Sequence, residues 1–177
     1  MRVKAKPVFK GRIIELALET ASLPDGREAE LEIVRHPGGV VVVALDELNR
    51  VCLLRQFRHA AGGWIWELPA GVLEPGEQPV QSARRELEEE AGASACRWSA
   101  LGSALSSPGF CDERLHFFMA SELSLGSTSH EENEFIEVHW LPLEQAVEMA
   151  LDDRVNDAKS VIGLLRAQAI LTGSVQN

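Results

Sequence analysis

Residues 85–93 read RELEEEAGA, with four glutamates between positions 86 and 90. The stretch from Glu77 to Glu90 has helical spacing: Val80, Ala83, Leu87 and Ala91 fall on one stripe, and Gly92 is placed to end the helix. On such a helix Glu86 and Glu90 are four apart and Glu89 is three from Glu86, so their carboxylates share a face. Like charges at that spacing repel, and a bare helix carrying them is destabilised. Arg85, four residues before Glu89, can anchor one carboxylate as an ion pair. A hard cation such as Mg²⁺ reverses the sign of the whole face, because it takes carboxylate oxygens and keeps waters for a phosphate-bearing ligand. The alternative is a solvated acidic face, ordinary in a chain with 27 acidic residues among 177.

The flanking sequence predicts strands. EAELEIVRH from Glu28 alternates as a half-buried strand does, after a turn at SLPDG. VVVVALDELNRVCLLRQF reads as two strands around a polar turn at Asp46 to Arg50, and ELPAGVLEPGE reads as a loop. Further strands are expected near Cys96 to Leu105, Leu115 to Ser121 and Phe135 to Leu141. Two helices follow, from Leu143 to about Asp152 and from Asp157 to about Leu171. The class is α+β with mostly antiparallel strands. A net charge of −10 argues against a nucleic-acid or anionic-membrane surface, but not against an anionic substrate held through a cation. No apolar run approaches a membrane span, and the start lacks the apolar core of a signal peptide. Three scattered cysteines, Cys52, Cys96 and Cys111, suggest reduced thiols in a cytoplasmic setting.

The spacing Gly71, five residues, Glu77, seven residues, then Arg85-Glu86-Leu87-x-Glu89-Glu90-x-Gly92 resembles the Nudix box of pyrophosphohydrolases at every fixed position. Ala93 departs mildly, where the family often has a bulkier aliphatic residue. LLRQFR, ELPAG, SSPGF, EENEFIEVHWLP and NDAKSVIGLL resemble the ADP-ribose pyrophosphatase branch, across roughly residues 39 to 166. The resemblance implies a Nudix fold, with mixed and antiparallel sheets packed between helices and an N-terminal β-strand extension. It implies a strand region at 1–38, exchanged between the subunits of a homodimer, and a hydrolase domain at 39–177.

Carried over by position, Glu86, Glu90 and the backbone carbonyl of Ala70 would ligate Mg²⁺, or Mn²⁺ in its place. Glu89 would be a ligand, a catalytic carboxylate or a partner of Arg85. Glu132 would be the base that activates water and Glu134 another metal-facing carboxylate, although neighbouring Glu131 permits a slip of one position. Arg55 and Arg58 would clamp phosphate or ribose, and Pro108 and Gly109 would mark the substrate side. Glu113 is either a surface charge or a contact to the terminal ribose. Without the box, Pro108-Gly109 is a turn and both arginines are solvent-facing charges. Trp64 and Trp66 read as core or interface anchors, and Glu67 as the partner of an arginine. The five histidines show no metal spacing. The reaction implied is Mg²⁺-dependent cleavage of ADP-ribose, a nucleotide sugar, to AMP and ribose 5-phosphate. The rivals are hydrolysis of another nucleoside diphosphate sugar such as GDP-mannose, and a non-catalytic nucleotide-binding module.

Overall fold

The structure, a computed structural model, describes residues 4–130 and 134–174. Its first three strands, β1 (Lys4–Lys10), β2 (Glu15–Ser22) and β3 (Glu28–Arg35), pair antiparallel in sequence order. The SLPDG turn closes between β2 and β3, where the Gly26 N–H donates to the Leu23 carbonyl at 2.9 Å. This sheet meets the rest of the chain where Val34 pairs with Cys111 and Arg35 bonds both Glu19 and Asp112.

The body is built on β4 (Gly39–Ala44), in which every residue is buried. A strand covered on both faces reads as an unbroken apolar run, and GVVVVA is one. It runs parallel to β9 (Arg114–Leu125) and antiparallel to β7 (Ala70–Val72); β8 (Ala93–Leu105) completes the mixed sheet in the order β7-β4-β9-β8. A second sheet, β10-β5-β6, is antiparallel and comprises Ile136–Pro142, Arg50–Arg58 and Gly63–Glu67.

Alternation along β4 divides the core. Val40, Val42 and Ala44 pack with Ala83, Leu87 and Ala91 of α1 (Pro79–Ala91). Val41 and Val43 pack with Leu68, Phe117 and the residues of α2 (Leu143–Leu151) and α3 (Ala158–Leu171). Helices therefore cover both faces of the mixed sheet, as the α+β expectation of sheets between helices requires. No helix among the described residues is long and apolar enough to cross a membrane.

The expected loop at ELPAGVLEPGE is corrected by pairing. Glu67 ends β6, and Ala70–Val72 forms β7 against Gly39, Val40 and Val41. Three residues carry too little local pattern to announce a strand; the partner 30 residues upstream makes it one.

Candidate active site

Helix α1 begins with a reciprocal cap between Gln78 and Gln81 and Pro79 in its first turn. It ends at Gly92, whose φ of 60° is the left-handed conformation of a C-cap. The apolar stripe faces β4, which leaves Glu86 and Glu90 on the edge of that buried face, beside β7. The Ala70 N–H donates to Glu90 Oε2 at 2.8 Å. Arg85 joins the loop to the helix. Its guanidinium donates to Glu86 at 2.7 Å, to Glu89 at 3.0 Å, to Glu77 at 3.3 Å and to the Val72 carbonyl at 3.3 Å.

Burial pushes the Glu90 carboxyl up to about 8; the Ala70 N–H opposes the rise, and the charges of Glu86 and Glu134 add to it. Burial also raises Glu86, against the pull of Arg85, and Glu89 and Glu134 raise it further. Glu134 is thus near enough to both to act on their ionisation. Glu132 and Glu131 lie outside the described residues.

The side chains fit a hard divalent cation by their chemistry. Cys52 and Arg58 both feel the charge of Glu90, and strand alternation places Gln56 between them on the same face of β5. Gln56 is 3% exposed and its Oε1 has no hydrogen-bond partner among the described residues. Carboxylates with an amide oxygen beside them suit a cation that keeps part of its water. Gly71 is part of the same cradle, because an added Cβ would lie on the Glu86 carboxylate. Among the described residues no three His, Cys, Asp or Glu side chains already converge: Glu86 is turned to Arg85, and Glu90 to Ala70.

A cavity of about 340 Å³ opens beside this edge, with Ala70, Gly71 and Val72 on one wall. Arg58 and Lys159 bring positive charge to it, and Glu113 and Asp157 negative charge.

A NUDIX domain family model matches residues 35–163. An ADP-ribose pyrophosphatase of Bacillus subtilis is 39% identical over 164 residues, which are 92% of this chain and 89% of that one. The chain belongs to the NUDIX family. A methanol dehydrogenase activator of Bacillus methanolicus is 38% identical over the same shares of the two chains. In fold, the chain is similar to a crystal structure named as an ADP compounds hydrolase. The TM-score is 0.83 at 20% identity, with 98% of this chain and 95% of that one covered.

With the NUDIX box placed, the remaining expected residues sort by position. Arg58 lines the cavity but is already engaged, donating to Glu67 at 2.9 and 2.8 Å. Arg55 lies three residues earlier on β5, exposed, its guanidinium 5.9 Å from the Trp66 ring centroid. Among the described residues that line the cavity, Arg55, Pro108 and Gly109 are absent. Pro108 and Gly109 form an exposed turn, and Leu105, Ser106 and Glu113 on either side of it reach the cavity. Glu113 Oε1 stands 3.4 Å from His36 Nδ1.

Sequence reasoning placed the start of α3 at Asp157 but gave Lys159 no role. Lys159 Nζ bonds Glu67 and Asp157 at 2.9 Å each. Asp157 caps α3 by accepting from the Ser160 N–H and hydroxyl, and the Ser160 Oγ accepts from the Leu68 N–H at 2.7 Å. The segment entering the box is therefore tied to α3. NDAKS, which starts that helix, was the available signal.

Proposed function

We propose that this chain is a Mg²⁺-dependent hydrolase of ADP-ribose that yields AMP and ribose 5-phosphate. The observation that carries the reading is the paired burial of Glu86 and Glu90 against Ala70 and Gly71, two residues that also line a cavity with Arg58, Lys159 and Glu113. The names of the relatives support the choice of substrate.

A bound divalent cation supplies charge neutralisation at the diphosphate and a water of lowered pKa. Glu86, Glu90, Glu134 and the Ala70 carbonyl would hold it, with Mn²⁺ an acceptable substitute. The Ala70 N–H fixes the Glu90 carboxylate, and Arg85 restrains Glu86 and Glu89. Water adds to one phosphorus, the bridging P–O bond breaks, and the bridging oxygen leaves with the other product. Glu132 takes the water's proton, with Glu89 the alternative base. Arg58 and Lys159 offset phosphate charge, and Glu113 accepts from ribose hydroxyls.

We further propose a cytoplasmic homodimer in which residues 1–38 are exchanged and 39–177 form the hydrolase domain. Val8 and Phe9 are 56% and 55% exposed on β1, with Ile13, Ile14 and Leu31 also uncovered, more apolar surface than one small sheet normally leaves to water. Removing residues 1–38 should give an inactive or aggregating protein. An active, monodisperse monomer would refute the shared arrangement.

The substrate is tested by kcat/KM for ADP-ribose, GDP-mannose and a nucleoside triphosphate with Mg²⁺. ADP-ribose should rank first. A higher value for GDP-mannose would move the assignment to another nucleotide sugar, and no turnover of any would favour a binding module.

A further inference from the structure

The last turn of α1 presents carbonyls with no partner inside the helix, and the segment 126–130 takes up two of them and that of the capping Gly92. The Gly126 N–H donates to the Gly92 carbonyl at 2.6 Å and the Ser129 N–H to the Glu89 carbonyl at 2.8 Å. The third partner is a side chain: His130 Nε2 lies 2.9 Å from the Glu90 carbonyl, a contact that requires the proton on Nε2. The approach is close because Gly92 has no side chain. A Cβ there would stand 2.9 Å from both the Ser127 carbonyl carbon and the Thr128 nitrogen.

This strap therefore grips the backbone of two residues, Glu89 and Glu90, whose side chains belong to the box.

We infer that His130 is a positioning residue: its Nε2–H bond to the Glu90 carbonyl, beside the Ser129 N–H bond to the Glu89 carbonyl, holds the end of α1 from which Glu89 and Glu90 project, and so sets the affinity of the site for a divalent cation. The inference rests on the proposed metal site but not on the identity of the substrate. Nothing in the spacing of the histidines announces it, since the bond goes to a main-chain oxygen 40 residues away.

The test compares wild type, His130→Ala and His130→Gln. Mn²⁺ binding is followed by the electron paramagnetic resonance of free Mn²⁺ without substrate, and kcat and KM are measured with ADP-ribose. A lost contact behind a ligand typically weakens metal binding by tenfold or more, so His130→Ala should bind Mn²⁺ about tenfold more weakly. Its kcat should fall with little change in KM. His130→Gln should recover most of both, because its amide N–H reaches the same carbonyl. All three proteins should remain folded at the assay temperature, read by circular dichroism. Wild-type Mn²⁺ affinity in His130→Ala overturns the inference, as does a His130→Gln variant no better than the alanine. Should wild type leave ADP-ribose intact while the three Mn²⁺ affinities separate as stated, the substrate assignment fails and the inference stands.

Discussion

A methyl group on Gly71 would lie 1.9 Å from Glu86 Oε1 and 2.0 Å from its carboxyl carbon. The first glycine of the box is thus the floor on which its first helical carboxylate rests. Gly71→Ala should displace Glu86 by about an ångström, a shift that can cost roughly 10²-fold in rate. We expect that loss in kcat with the fold retained, read by circular dichroism. Near-normal turnover in Gly71→Ala would mean that this contact does not place Glu86.

Glu90→Gln and Glu86→Gln should each lower kcat by at least ~10²-fold, in keeping with the several kcal/mol that metal-ion charge stabilisation supplies. Their stability should move the other way. Both carboxylates are buried beside like charge, so the metal-free variants should melt no lower than wild type. Added Mg²⁺ should raise the melting temperature of wild type and raise that of Glu90→Gln much less. Equal Mg²⁺-induced shifts in the two proteins would place the cation elsewhere.

Much of this was legible locally, and the reason is spacing. The stripe of Ala83, Leu87 and Ala91 packs on the sheet, and the valine run of β4 is the central strand. The box residues announce themselves within 23 positions. What stayed hidden depends on distant partners. Lys159 meets Glu67 across 92 positions, and β7 is a strand only because β4 lies alongside it. Arg55 and Arg58 look equivalent in LLRQFR, yet strand alternation sends one to Trp66 and solvent and the other to Glu67 and the cavity.

The Arg58–Glu67–Lys159 cluster gives the acid side of the stability profile. Burial pushes the Glu67 carboxyl up, but the Arg58 hydrogen bonds and the charges of Lys159 and Arg58 outweigh it and hold the group below its ordinary value. A carboxyl depressed in the folded state stabilises above its unfolded pKa of about 4.3, and the contribution disappears as pH falls through the folded value. Glu67→Gln should therefore be less stable than wild type at pH 7, by roughly 1–2 kcal/mol, because Glu67 is buried while the Arg58 side chain is 40% exposed and screened by water. The gap should narrow below about pH 4. Denaturant melts at pH 7 and at acid pH measure it, and a gap that stays constant or widens on acidification would contradict the assigned role.

Product analysis of ADP-ribose by ³¹P NMR, with wild type and Glu90→Gln, each with and without Mg²⁺, tests the hydrolase and its metal site together. AMP and ribose 5-phosphate are expected in equal amounts from wild type with Mg²⁺, and almost none in the other three samples. Intact ADP-ribose in all four, or equal product from Glu90→Gln, would contradict this expectation.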